Sequence, residues 1–80
     1  MTAEKYLLDA HYEDDTFVVL ADIPGASRDE LTVGIHPRDR TLVIARNESV
    51  LGRVPLPSKP WGSPDALFHN GVLEVRLPAD

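Results

Sequence analysis

The chain has 80 residues, a formal charge of −5 and no cysteine. That length gives one domain, and a chain so short buries only about 60% of the surface its unfolded form exposes, so the core is thin and no disulfide staples it. The negative balance argues against nucleic acid, whose phosphates need a basic footprint, and no apolar run approaches the roughly 20 residues of a membrane-spanning helix.

Tyr6–Tyr12 reads as a first, weak strand. Glu13-Asp14-Asp15 follows as a turn. Thr16–Ala21 is the strongest strand candidate, apolar, β-branched and aromatic. Asp22-Ile23-Pro24-Gly25 stops it, because Pro24 cannot donate to a ladder and Gly25 supplies a free backbone angle; the Asp22 side chain is placed to cap that turn. Ser27 and Glu30 have capping-box spacing with no long apolar period after them, which predicts a single helical turn. Leu31-Thr32-Val33-Gly34-Ile35 alternates with period two and puts Leu31, Val33 and Ile35 on one face. Gly34 in that strand marks a bulge or the close approach of another backbone.

His36-Pro37-Arg38-Asp39 is a turn, Thr41–Ala45 a buried strand, and Val50–Val54 a shorter one ended by Pro55-Leu56-Pro57. Ser58–Pro64 is a Pro/Gly loop around Trp61, which is expected to fold back and plug one end of the core rather than stand out as a partner anchor. The last stretch is a hairpin written in sequence. Asn70-Gly71 is the pair a type I′ turn demands, since both central residues need φ > 0. After it Leu73, Val75 and Leu77 share one face, and Glu74 and Arg76 the other. About seven short strands with turn signals between them and no long helix predict an all-β, antiparallel, immunoglobulin-like sandwich.

The motifs resemble those of the small heat-shock protein family and its α-crystallin domain. Ala66, Asn70, Gly71, Val72 and Leu73 complete its Ala-x-x-x-Asn-Gly-Val-Leu signature, and Asp22, Pro24 and Gly25 match its Asp-Leu-Pro-Gly turn. Leu56-Pro57 looks like the Leu-Pro before its last loop. The anchors fall in the family's order over nearly the whole chain, which implies one α-crystallin-like domain over residues 1–80, with its core at about 6–78 and almost no N-terminal arm or C-terminal tail. The departures are informative. Only Asn47-Glu48-Ser49 and a flanking residue or two separate Thr41–Ala45 from Val50–Val54, where many members carry a long loop with a strand exchanged between protomers. The family's Phe-x-Arg-x-Phe falls on Val50, Gly52 and Val54, with Arg53 adjacent to the arginine position. This short-loop form is most similar to α-crystallin-like proteins of halophilic archaea, some associated with gas vesicles.

The sequence carries no constellation of an enzyme. There is no nucleophile elbow, no phosphate-cradling glycine loop and no cysteine nucleophile. His11, His36 and His69 lie apart without the paired spacing of zinc ligands and read as exposed residues, so no catalytic residue, metal or other cofactor is expected. The acidic excess sits in the first half: residues 1–40 carry nine acidic and four basic side chains, residues 41–80 four of each. It reads as turns and a solvated face, the alternative being a halophile-type acidic surface. The sequence shows no secretory signal, and the expected location is cytoplasmic.

The resemblance implies a partner groove between the strands Leu31–Ile35 and Ala66–His69, with Leu31, Val33, Ile35 and Leu67 as its apolar lining. The function it implies is that of an ATP-independent chaperone module that binds partly unfolded client proteins or extended peptide segments. A co-chaperone-type docking adaptor and an accessory protein of gas-vesicle assembly are the alternatives. Self-association is expected to stop at a weak dimer through the edge of Val50–Val54, short of a large strand-exchanged assembly.

Overall fold

The strands form where apolar alternation meets turn chemistry. The computed structural model describes residues 7–36, 38–56 and 63–78. Its strands are β1 (Leu7–Glu13), β2 (Thr16–Asp22), β3 (Leu31–His36), β4 (Thr41–Arg46), β5 (Ser49–Pro55), β6 (Asp65–His69) and β7 (Val72–Pro78), with one 3₁₀ turn at Arg28–Glu30. They build two antiparallel sheets, one of four strands in the order β1-β2-β7-β6 and one of three in the order β3-β4-β5. Among the described residues the architecture is the expected all-β sandwich, with seven strands.

The core lies between the sheets. Phe17, Val19 and Ala21 from β2 and Leu73, Val75 and Leu77 from β7 face Leu42 and Ile44 of β4 and Val54 of β5, with Ile23 and Leu56 closing the layer. The register explains the selection: Val19 pairs with Val75 and Ala21 with Leu73, so the two central strands present the same face together. Tyr12 packs edge-on against Phe17 at a ring separation of 5.3 Å and covers one end.

Two sequence motifs distant in the chain meet in space. Asn70 and Gly71 have φ of 52° and 80°, as the type I′ hairpin requires. The Gly71 carbonyl accepts the Ile23 N–H at 2.7 Å, which ties the Asp22–Gly25 loop to the hairpin. A Cβ on Gly71 would meet Pro24 Cα at 3.6 Å, an ordinary contact, so backbone conformation and not space calls for glycine here.

Several expectations shift. β1 runs to Glu13. Asp22 is the last residue of β2, and the turn after it is closed by backbone, the Ala26 N–H reaching the Ile23 carbonyl at 3.4 Å. Gly34 is not a bulge: it pairs regularly with Val43, and a Cβ there would meet nothing within 4 Å. The irregularity sits instead in β5, where Ile44 pairs with Gly52 and Ala45 with Val50, leaving Leu51 as the extra residue. That extra residue turns its side chain back against the core. Arg46 pairs with Ser49, so only Asn47 and Glu48 form the β4–β5 turn, with Asn47 at φ 55°. Trp61, Pro57 and residues 58–60 lie outside the described residues.

Candidate functional site

The two sheets do not close against each other on every side. β3 is an edge of the three-stranded sheet and β6 an edge of the four-stranded one. Both are short, and neither holds a fully buried residue. Between them runs a cleft of about 350 Å³ lined by Leu31 and Val33 of β3, Ala66, Leu67 and Phe68 of β6, and Leu73 at its floor, with Arg28 and Pro64 at the rim. Leu31, Val33 and Phe68 are half-buried, packed against the core on one side and open to the cleft on the other.

The start of β3 is held by a polar clamp. The Glu30 carboxylate accepts the Ser27 N–H at 3.0 Å, the half of a capping box that the spacing foretells. The same oxygen accepts Arg46 Nε at 3.1 Å, and Arg46 also reaches the Gly25 carbonyl at 3.4 Å. The Asn47 N–H closes on the Glu30 carbonyl at 2.6 Å. The β4–β5 hairpin therefore fixes the 3₁₀ turn from which Leu31 enters the cleft. The Ser27 N–H, and after it the Arg46 charge, hold the Glu30 carboxyl below the usual carboxylate range.

The structure places the expected lining residues as follows. Leu31, Val33 and Leu67 border the cleft together. Ile35 packs against the core farther along β3, outside the lining. Leu67 pairs with Glu74 and is 60% exposed, so it stands at the rim on the outer side of β6, where it also borders a second depression with His69, Asn70, Val72 and Glu74. Phe68 is the inward residue that the sequence reading omits. The sequence carries a signal for it: a two-residue turn at Asn70-Gly71 makes Phe68 the partner of Leu73, on the apolar face of the last strand. Of the motif residues, Ala66 and Leu73 enter the lining, while Asp22, Pro24, Gly25, Asn70, Gly71 and Val72 shape the loops beside it.

The histidines lie apart from the cleft. His36 Nδ1 sits 3.3 Å from Asp39 in the β3–β4 turn, and His69 ends β6. Among the described residues no three His, Asp or Glu side chains converge as metal ligands, and no helix is long and apolar enough to cross a membrane.

No family model matches the chain. Gas vesicle protein H of Haloferax mediterranei is 38% identical over 65 residues, 81% of this chain and 30% of that protein. Gas vesicle protein H1 of Halobacterium salinarum is 33% identical over 63 residues, 79% of this chain and 35% of that protein. The chain thus spans about a third of the length of these curated relatives. Among solved structures, a Del-C4 mutant of hsp14.1 from Sulfolobus solfatataricus P2 superposes with a TM-score of 0.79 at 25% identity, covering 94% of this chain and 75% of the other. Heat shock protein 16.0 from Schizosaccharomyces pombe gives a TM-score of 0.79 at 24% identity, covering 96% and 88%.

Proposed function

From the α-crystallin-type sandwich of small heat-shock proteins, which is the fold of this chain, we propose a chaperone module that holds extended apolar segments of partly unfolded proteins without ATP. One observation carries the reading: the open seam between β3 and β6, where apolar side chains line a cleft flanked by the outer edges of both sheets. Such an edge offers backbone donors and acceptors to an added strand, and the pockets beside it select the alternate side chains of that strand. Seating two branched apolar side chains against Leu31, Val33 and Phe68 contributes about 3–6 kcal/mol before ordering costs. Binding by one copy is therefore weak and reversible, as a holding function requires.

A second reading is favoured by the two gas vesicle relatives: the segments held belong to a gas-vesicle protein, and the module serves the assembly of that structure. The experiment is aggregation of a heated test protein, and in parallel of a gas-vesicle structural protein, followed by light scattering with this chain present and no nucleotide. Delayed aggregation of both supports a general chaperone, and delay of the gas-vesicle protein alone supports the second reading. No delay of either, with binding only to a folded partner, would replace both by a docking adaptor.

A further inference from the structure

The outer face of the four-stranded sheet, away from the cleft, carries a continuous chain of charged groups centred on one histidine. Alternation along the edge strand β1 puts Asp9, His11 and Glu13 on that face. His11 Nδ1 lies 3.1 Å from Asp9 Oδ2, and its Nε2 lies 3.0 Å from Glu13 Oε2. Glu13 Oε1 accepts Arg76 Nη2 of β7 at 3.2 Å, and Arg76 Nε donates to Glu74. A neutral imidazole has one N–H, so both His11 contacts are hydrogen bonds only when the ring is charged. The two carboxylates sit at opposite ring nitrogens and so brace the ring.

Beneath this chain lies a residue that the inter-sheet core does not explain. Val18 is 1% exposed, yet it belongs to the outer face of β2 and not to the cluster between the sheets. In register it is flanked by His11 on one side and Arg76 on the other. The charged groups nearest His11 on this face are Asp9 and Glu13 from its own strand and, across β2, Arg76 and Glu74 of β7; β2 brings none between Thr16 and Leu20, and Asp65 of the far edge strand β6 pairs with Arg76. Carboxylates outnumber cations there, and the His11 proton offsets part of that excess.

We propose that His11 is a protonation-controlled latch on the edge strand β1. With the ring charged, His11 binds Asp9 and Glu13 and so holds β1 in its extended, docked conformation, while Glu13 links β1 across β2 to Arg76 of β7. With the ring neutral, one carboxylate faces a nitrogen lone pair, the remaining acids repel, and β1 parts from β2 more readily. Its opening uncovers Val18 and the backbone edge of β2, which is a template for another strand.

Hydrogen bonding to Glu13, and then to Asp9, raises the His11 pKa above its ordinary 6.5. A group whose folded pKa is raised stabilises fully below its unfolded value, and that contribution is lost as pH rises through the folded value. The β1–β2 ladder remains in both states, so the change is modest.

Backbone amide exchange, corrected for intrinsic rates, tests this on the whole chain. Between about pH 5.5 and 8.5, protection of the β1 amides falls about two- to fivefold, the range of an exposed ion pair, while that of Leu42–Ile44 in β4 stays constant. His11→Gln, which cannot be charged, has low and flat β1 protection, and the double variant His36→Gln/His69→Gln behaves as the unmodified chain. Constant β1 protection in the unmodified chain, or an equal fall in His11→Gln, would overturn the proposal.

Discussion

The centre of the sandwich and its open side are built from the same residue types to opposite ends. In β2, β4 and β7, Val19, Leu42 and Val75 are 0% exposed and Ile44 is 1% exposed. These strands are covered by neighbours in their own sheet and by the opposite sheet. In β3 and β6, Leu31, Val33 and Phe68 are branched or aromatic too, yet each keeps one side open because its strand has a neighbour on only one edge. Hydrophobicity alone does not decide between core and open surface; position in the sheet order does. On the proposed function, stability and binding therefore rest on separable residues, and substitutions can pull them apart.

The largest effect belongs to the centre. Leu42→Ala removes a fully buried side chain and leaves a cavity, with an expected loss of about 2–5 kcal/mol, measured by denaturant unfolding. For a domain this small that approaches its whole stability. A midpoint within experimental error of the unmodified chain would erase the distinction between centre and edge.

Next comes the hairpin that sets the phase of β6. Gly71→Val forces a β-branched residue to φ near 80°, at an expected cost of about 1–3 kcal/mol in thermal or chemical denaturation. Because the turn fixes Phe68 opposite Leu73, a variant that folds should also bind an apolar peptide more weakly through a shifted register. A full loss of stability with unchanged peptide affinity would detach the cleft from the hairpin.

At the open side the order reverses. Ala66 lies exposed in the cleft lining, so Ala66→Asp should change stability by at most about 1 kcal/mol. It places a charge among apolar groups, however, and peptide affinity measured by calorimetry should fall about tenfold or more. Equal affinity for both chains would move the binding site elsewhere.

The smallest effect concerns the clamp at the entry to β3. The Glu30 carboxyl is held below its ordinary value of 4.5, so its contribution is present above that value and lost as pH falls through the lower folded one. Glu30→Gln should flatten this part of the acid side of the melting-temperature profile and lower the neutral-pH midpoint by a few degrees at most. An acid limb of unchanged steepness would show that Glu30 does not hold β3 in solution.

What the sequence made legible follows the same division. The Asn70-Gly71 pair, the Asp22–Gly25 stop and the alternation of Leu73, Val75 and Leu77 each act through local rules, and the strands and their order of appearance could be read from them. Residues whose role depends on the sheet order were harder. Leu67 and Phe68 are adjacent apolar residues, and only the pairing with β7 tells which one faces inward. Ile35 shares the face of Leu31 and Val33 yet lies beyond the cleft, because cleft length is set by where β6 begins and ends. Strand glycines gave an ambiguous signal: Gly52 adjoins the Leu51 bulge whereas Gly34 pairs regularly, and only the pairing with β4 tells the two apart. By sequence alone His11 is a lone exposed histidine. Its partners stand at alternate positions of one strand, a spacing visible in sequence, but Arg76 lies 63 residues from Glu13 and is brought to it by folding.

The most direct test of the central claim, that the seam between β3 and β6 is the binding side, is a titration of the isotope-labelled chain. The probe is a short peptide bearing two isoleucines separated by one residue, followed through backbone amide shifts. The expected result is a set of perturbed amides concentrated in Leu31–Ile35 and Ala66–His69, with those of β4 and β1 unmoved. Perturbations clustered along β5 or β1, with β3 and β6 silent at saturating peptide, would contradict it.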